Sequence, residues 1–308
     1  MGASPRELLR ARLFLRAALP LVKVVLEDDP VARRRFQGVR AHVQFVAKNE
    51  PEPVGAYIVF GAPPADAAAA SGPAPAGRSA SDASPPASGA SQPAPAVRVE
   101  QGFCDRPEAG EGAGPGAPAA VEPDVTFTFS SVQKLNDFFA GKTVLPKIKG
   151  LGKPGLVVKV VTLLLALKLM LPSAQPKDPA KRRLKVRMTL YMITTALSQY
   201  NKGGDEEMAR WTAKQPERIY QMSVEPEGIA AYVRIRAGLS KAGRGVYERR
   251  RPFVHLRFHG IDGALAVMNK EVGFVEGVAK GFVRVEGSPE YAANFNDFMM
   301  RVQGLLTG

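Results

Sequence analysis

The stretch Val125-Thr126-Phe127-Thr128-Phe129 decides the fold, because its pattern occurs twice in the chain. Its apolar residues alternate with threonines, which predicts a β-strand that is buried on one face only. The same pattern returns near the end of the chain as Val254-His255-Leu256-Arg257-Phe258. A pattern that recurs with similar neighbours indicates an internal repeat and predicts two copies of one structural unit.

The neighbours downstream of both stretches also repeat. Each strand precedes a short helical pattern, which is formed by Val132, Leu135, Phe138 and Phe139 in the first copy and by Ile261, Ala264, Val267 and Met268 in the second. A short strand then ends at Gly150 or Gly287, and Pro154 or Pro289 opens a long apolar helix. Upstream, 56–60 parallels 231–235. The order of elements is therefore the same in both copies.

Each copy consists of a helix, strands, a short helix, a strand and a long helix. This order predicts the α+β class, with two tandem units that each contain a mostly antiparallel, five-stranded-type sheet covered by helices. We expect a hydrophobic cavity in at least the first unit. The predicted organisation is an N-terminal amphipathic helix at 1–27, a first unit at 28–171, a linker at 172–183 and a second, divergent unit at 184–308. Two Ala/Gly/Pro/Ser-rich stretches, at 62–96 and 105–123, are predicted to be disordered or loop-like.

Composition excludes several classes of protein. A single cysteine cannot form a disulfide framework, and three histidines leave little material for a metal site. His255 and His259 are four residues apart on a predicted strand, which separates them by about 13 Å, too far to share a metal ion. We expect His255 to be a partly exposed strand residue. We expect no metal, no cofactor and no enzymatic activity.

The segment 156–171 reads LVVKVVTLLLALKLML. It is shorter than the roughly 20 residues that span a bilayer, and Lys159 and Lys168 lie on opposite sides of a helix. Three interpretations remain open: a buried or pocket-lining helix, an interfacial helix, and a membrane-spanning helix.

These elements together resemble a known family. The run Phe139-Ala140-Gly141-Lys142, followed by Lys147-Ile148-Lys149-Gly150 and the apolar helix, is similar to the C-terminal half of a sterol carrier protein type two domain. In that family a short helix ends in Gly-Lys, a basic strand follows, and a final helix closes a hydrophobic tunnel. The resemblance covers 28–171, and the second copy matches less well. The spacer Thr143 to Pro146 is longer than is usual in the family.

The resemblance implies binding or intracellular transfer of a lipid without catalysis. The ligand class stays open among a sterol, a fatty acid, an acyl-CoA and a phospholipid. The residues expected to line the tunnel are Phe127, Phe129, Phe138, Phe139, Leu156, Val160, Leu163, Leu164 and Leu167. In the second copy we expect a filled cavity, because polar residues such as Asn294 interrupt the equivalent helix.

Charge predicts the partner surface. The chain carries 42 Lys and Arg against 29 Asp and Glu, a formal net charge of +13. Between Lys142 and Arg187 there are 12 basic residues and one acidic residue, which suits transient docking on an anionic membrane. The residues expected to contact the membrane are Lys147, Lys149, Lys153, Lys181, Arg182 and Arg183. We expect a cytoplasmic protein that is peripheral at the inner face of the membrane, since no export signal is recognisable.

Two other functions remain as alternatives. An accessory subunit could present a lipid substrate to a lipid-modifying partner protein, and such a subunit would have the same pocket. A nucleic-acid-binding protein could use the basic stretch, but that stretch contains no aromatic residue on which a base could stack.

Overall fold

The protein is described by a computed structural model that covers residues 2–61, 94–105, 120–150 and 152–307. Most of the predicted insert at 62–96 and most of the loop predicted at 105–123 lie outside the described residues. The described residues form two units with the same order of elements.

The first unit places three consecutive strands before a crossover to the fourth. Its elements are α1 (Pro5–Leu13), a π-helical turn (Phe14–Ala18), a 3₁₀ turn (Leu19–Leu21), α2 (Val22–Asp28), α3 (Pro30–Arg35), β1 (Ala41–Ala47), β2 (Val54–Phe60), β3 (Val97–Gln101), β4 (Val125–Phe129), α4 (Val132–Phe139), β5 (Lys147–Lys149), α5 (Pro154–Ala166) and a 3₁₀ turn (Leu167–Met170).

The second unit repeats this order with one additional short helix. Its elements are α6 (Pro179–Lys202), α7 (Glu206–Ala213), β6 (Arg218–Glu225), β7 (Ile229–Arg236), β8 (Leu239–Arg244), β9 (Val254–His259), α8 (Gly260–Met268), α9 (Phe274–Ala279), β10 (Val283–Gly287) and α10 (Pro289–Thr307).

Both sheets have five strands in the same spatial order. The first sheet runs β3-β2-β1-β4-β5 and the second runs β8-β7-β6-β9-β10. In each sheet the central pair, β1 with β4 or β6 with β9, is parallel and the other pairs are antiparallel. The predicted α+β class, the tandem arrangement and the mostly antiparallel sheets are confirmed.

Two glycines show how closely the repeat is kept. Gly150 directly follows β5 and has φ +93°, and Gly287 is the last residue of β10 and has φ +100°. A Cβ on Gly150 would lie 2.1 Å from the carbonyl oxygen of Asp124, and a Cβ on Gly287 would lie 2.0 Å from that of Phe253. Because both the positive φ and the close approach exclude a side chain, glycine is required at the same point of each copy.

The N-terminal helix is more buried than an amphipathic surface helix. Its residues from Leu13 to Leu26 are largely inaccessible, because the helix contacts α4 and α5 of its own unit and α6 of the second. Pro20 has no N–H to donate within the helix, and the chain passes through the π and 3₁₀ turns next to it. The long opening helices of both units therefore pack against each other.

The connection between the units is shorter than the predicted linker at 172–183. Residues 179–183 form the beginning of α6, because Asp178 caps the helix by accepting from the amide of Ala180 (3.2 Å) and Pro179 occupies its first position. Lys185 is buried in the same helix, and its Nζ donates to the carbonyls of Leu171 (3.0 Å) and Ala174 (2.5 Å). These contacts hold the end of the first unit against the second.

Candidate functional site

A cavity of about 400 Å³ lies in the first unit, where α4, β5 and α5 meet on one face of the sheet. Its walls are mainly apolar, and two lysines stand among the lining residues. The lining residues are Phe127, Phe138, Phe139, Lys142, Thr143, Val144, Leu145, Pro146, Ile148, Val161, Leu164, Leu165, Leu167 and Lys168.

Stacked aromatic rings form the wall on the side of the sheet. Phe127 lies opposite Ile148 in the β4–β5 register, and its ring stacks on that of Phe45 with centroids 5.2 Å apart. At the end of α4, Phe138 and Phe139 meet edge to face at 5.5 Å. Alternation along β4 directs Phe127 to this face, so the strand pattern itself supplies part of the cavity wall.

The helix α4 has defined ends, which place these two phenylalanines. Ser131 caps the N-terminus by accepting from the amide of Lys134 (3.2 Å), and Gly141 follows the C-terminus with φ +86°. A Cβ on Gly141 would lie 2.6 Å from the side chain of Leu171, which follows α5 and its 3₁₀ turn. Gly141 therefore lets the chain turn into the spacer Thr143 to Pro146 while staying close to that helix.

The spacer and α5 form an exposed apolar lip. Leu145 is 92% exposed and Leu165 is 52% exposed, although both line the cavity. Exposed large apolar side chains beside an apolar cavity are characteristic of interaction surfaces. The spacer Thr143 to Pro146 therefore forms the lip together with α5.

Two lysines line the cavity beside this lip, and two more lie on the adjacent edge strand. Lys142 and Lys168 line the cavity, and Lys142 is paired with Asp137 at 2.8 Å. Lys147 and Lys149 are exposed on β5 and point to the face opposite Ile148. An apolar opening with several cations nearby has the charge and polarity that suit the surface of an anionic bilayer.

Lys153 is held by an ion pair at the start of α5. Its Nζ lies 2.5 Å from Oδ1 of Asp124, and Oδ2 of the same carboxylate accepts from the amide of His42 at 2.8 Å. Burial raises the pKa of Asp124, but the hydrogen bonds from Lys153 and His42 outweigh burial and hold that pKa below its usual value. The ion pair therefore holds the start of α5 next to the start of β4.

The structure brings together five of the nine residues that were expected to bind lipid. Phe127, Phe138, Phe139, Leu164 and Leu167 line the cavity. The others are Phe129, Leu156, Val160 and Leu163, which are not among the residues that line it. Val160 and Leu163 are buried in α5, a helix that also contacts α2, and Phe129 packs on Phe138 at 5.3 Å.

The residues expected to contact a membrane are separated into two groups. Lys147 and Lys149 lie on β5, on either side of the cavity-lining Ile148, and Lys153 lies just before α5. Lys181 is exposed at the start of α6, where Arg182 pairs with Asp262 and Arg183 donates to the carbonyl of Glu227 at 2.9 Å. These two arginines therefore hold α6 to the rest of the second unit.

Sequence reasoning missed several lining residues. Val144, Leu145, Ile148, Leu165 and Lys168 were not singled out. Two of them could have been predicted from their position in the sequence. Leu165 directly follows Leu164, and Lys168 directly follows Leu167, in a helix that was expected to close a tunnel. The spacer carried no periodic pattern, so nothing in it marked Leu145.

A buried polar cluster lies on the second sheet, on the face away from α10. His255 Nε2 lies 2.8 Å from Ser223 Oγ and 3.3 Å from Gln221 Nε2. The expectation that His255 is partly exposed was wrong: it is 7% exposed, because the loop after β8 covers it through the bond from the Tyr247 amide to Gln221 Oε1. Burial, together with the charge of Arg257, lowers the pKa of His255. Ser223 is equally buried, so this Ser–His contact is closed to a substrate.

Two further observations concern possible chemistry. Cys104 is buried, and burial raises the pKa of its thiol to about 11, which keeps it protonated at neutral pH. Within the described residues, no group of three or more His, Cys, Asp or Glu could hold a metal ion. The same residues include no helix that is long and apolar enough to cross a bilayer.

Comparisons with known proteins gave weak similarities. No family model matches the chain, and no curated protein matches it. Among solved structures, it is similar to a stereoselective inverting sec-alkylsulfatase from Pseudomonas sp., with 12% identity and a TM-score of 0.22 over 46% of this chain and 28% of that chain. It is also similar to a double mutant of a sec-alkyl sulfatase, with 11% identity and a TM-score of 0.24 over 48% of this chain and 28% of that chain. Each match spans less than a third of the sulfatase.

Proposed function

We propose that this chain is a non-enzymatic carrier that binds the apolar part of a lipid in the first unit and exchanges it with an anionic membrane. The observation that carries the proposal is the cavity of about 400 Å³ with an apolar wall and an exposed leucine at its opening. Removing apolar surface from water contributes about 25 cal/mol per Å², so enclosing an alkyl chain there is favourable without any covalent step. The resemblance to sterol carrier protein type two domains supports the same function.

Peripheral contact with the inner face of the cytoplasmic membrane belongs to this proposal. Leu145 is placed to insert among lipid headgroups, while Lys168 at the cavity and the exposed Lys147 and Lys149 of the edge strand β5 supply cations for anionic lipids. Each cation that approaches such a surface contributes about 1 kcal/mol. The ligand would pass between cavity and bilayer through the lip, without crossing water.

The proposal is tested by organic extraction of the freshly purified full chain, followed by mass spectrometry. We expect a lipid in close to stoichiometric amount from the parent chain and none from Leu164→Lys, since this substitution places an ammonium group inside the cavity. The matched control is Leu239→Lys, the same substitution at a leucine that is 75% exposed in the second unit. A parent extract free of lipid, in a chain that also fails to take up a fluorescent fatty acid or sterol, would contradict the proposal.

A further inference from the structure

The second unit contains its own pocket, which no part of the proposed function uses. It lies between α6, α8, α9 and α10, and its volume is about 90 Å³. We expected side chains to fill this cavity. They fill most of it, because about 90 Å³ remains, compared with about 400 Å³ in the first unit. Its lining residues are Met170, Pro172, Thr189, Met192, Ile193, Met222, Phe258, Val267, Met268, Asn269, Phe274, Asn296, Met299, Met300, Val302, Gln303, Leu306 and Thr307.

The two pockets occupy the same place in the repeated fold. The last helix of the first unit lines its pocket with Val161, Leu164, Leu165, Leu167 and Lys168. The residues at the same distances after Pro289 are Asn296, Met299, Met300, Val302 and Gln303, and all five line the second pocket. Gly141 and Lys270, which follow the short helix in each unit, share a positive φ, of +86° and +63°. The second pocket is therefore the duplicate of the first.

The duplicates differ in charge. Lys142 and Lys168 line the first pocket. In the second, Gln303 stands where the first has Lys168, and the described lining residues include no charged side chain. The neutral polar groups at this pocket are Thr189, Asn269, Asn296, Gln303 and Thr307. An ionised ligand would find no counter-charge there, so the lining favours a neutral ligand.

One of these polar groups lacks a partner inside the protein. Thr189 is 8% exposed, and its hydroxyl has no hydrogen-bond partner among the described residues. A buried hydroxyl without a partner is costly, and native proteins rarely leave one unsatisfied. Because Thr189 lines the pocket, a ligand with a hydroxyl or carbonyl group would supply the missing partner.

The apolar lining is adaptable. Six of the nine methionines of the chain line this pocket: Met170, Met192, Met222, Met268, Met299 and Met300. Unbranched thioether side chains change rotamer easily and are common at apolar surfaces that accept ligands of different shape. A pocket of about 90 Å³ in this lining can therefore open further around an alkyl chain.

We propose that the second pocket is a separate binding site for a neutral single-chain amphiphile with a hydroxyl head, such as a medium-chain alcohol. The alkyl chain packs among the methionines, and the ligand hydroxyl forms a hydrogen bond with the hydroxyl of Thr189. The proposal goes beyond the carrier function of the first unit, because it assigns a different ligand class to a different site.

The test uses the full chain labelled with ¹³C at the methionine methyl groups. 1-Octanol and octanoate are titrated separately at neutral pH, since the two probes share an alkyl chain of the same length and differ in head charge. We expect 1-octanol to shift the signals of the methionines at the second pocket with saturation, and octanoate to bind there at least tenfold more weakly. Met188 and Met208, which do not line it, serve as internal references.

Two variants test the named groups. Thr189→Val keeps the shape of the side chain and removes the hydroxyl, and we expect the affinity for 1-octanol to fall about threefold to tenfold. Its control is Thr162→Val, because the hydroxyl of Thr162 bonds to the carbonyl of Val158 in its own helix. Gln303→Lys introduces the lysine of the first pocket, and we expect octanoate to gain at least threefold in affinity relative to 1-octanol.

The outcome is separable from that of the carrier proposal. In Leu164→Lys, which blocks the first cavity, 1-octanol should still shift the methionines of the second pocket. The proposal is overturned if these signals do not move up to the solubility limit of 1-octanol, if octanoate binds equally well, or if the shifts disappear in Leu164→Lys. It is also overturned if Gln303→Lys leaves the preference between the two probes unchanged.

Discussion

At the scale of single residues, two buried glutamines perform the same task in the two units. Gln44 and Gln221 occupy equivalent positions in β1 and β6, where each lies opposite a tyrosine, Tyr57 or Tyr232. The side-chain oxygen of Gln44 accepts from the amide of Cys104 (2.8 Å), and that of Gln221 accepts from the amide of Tyr247. Each glutamine therefore holds the segment that follows the edge strand, β3 or β8, against one face of its sheet.

Replacing either glutamine by leucine should destabilise the protein. Gln44→Leu leaves the buried N–H of Cys104 without an acceptor, and Gln221→Leu does the same to the partly buried N–H of Tyr247. An unsatisfied buried N–H costs about 1–3 kcal/mol in the free energy of unfolding, and we expect the larger loss for Gln44→Leu. Urea denaturation measures this change, with Gln37→Leu at an exposed position as the control. A loss no larger than that of the control would show that the two amides find other partners.

The buried histidine predicts a dependence of stability on pH. His255 has a lowered pKa in the folded protein, so below its ordinary value of about 6.5 the unfolded chain binds a proton more readily than the folded one. Its contribution is therefore most favourable above pH 7 and is lost as pH falls toward the lowered value. The charges near it are those of Arg257, Glu286 and Glu225.

Thermal unfolding at pH 7.5 and pH 5.5 measures this effect. We expect the melting temperature of the parent to fall between these pH values, and we expect His255→Asn to show a smaller fall because asparagine does not titrate. Equal falls in the two chains would mean that other groups carry the dependence.

At the scale of elements, the spacer between α4 and β5 decides how the first pocket meets its surroundings. Leu145 is almost fully exposed, so a change there should leave the fold intact and alter only the interaction with a membrane. We expect Leu145→Glu to weaken binding to phosphatidylserine-containing vesicles at least threefold, because it removes the apolar contact and adds a repelled charge. Sedimentation with vesicles measures binding, and Leu239→Glu is the matched control. Undiminished binding by Leu145→Glu would place the docking surface elsewhere.

The sequence was most informative where one regular pattern extended over a whole element. Alternation in β4 and β9, the glycines after the short strands and the prolines before the last helices predicted the order of elements in both units. The boundary of α6 was placed too late, because the Pro-rich composition around Asp178 also describes a helix start. The irregular turns near Pro20 left no periodic signal.

The candidate site was predicted less completely than the fold, for a physical reason. Periodicity normally indicates which face of a helix is buried. It cannot do so for α5, because this helix is apolar on most of its surface and both contacts α2 and lines the cavity. Val160, Leu163, Leu164 and Leu167 are all buried, but only Leu164 and Leu167 line the cavity. Only the packing of whole elements separates the two sets. The burial of His255 likewise depends on a loop that is distant in the sequence.

At the scale of the whole molecule, duplication has produced two pockets with different linings on one framework. The first is larger, opens at an exposed lip and has lysines beside it. The second is smaller, rich in methionine and without charge among its described lining residues. The end of the first unit contributes Met170 and Pro172 to the second pocket, so the second site is completed at the boundary between the units, whereas the first is lined by its own unit.

The central claim, that the first unit carries lipid between membranes, is tested most directly by a transfer assay. Donor vesicles that contain phosphatidylserine and a fluorescent fatty acid are mixed with acceptor vesicles, and the rate of transfer is measured with the parent chain, with Leu164→Lys and with Leu239→Lys. The account predicts that the parent and Leu239→Lys accelerate transfer in proportion to their concentration, with a rate that falls as salt rises, and that Leu164→Lys does not. A parent chain that leaves the rate of spontaneous transfer unchanged, or equal acceleration by Leu164→Lys, would contradict it.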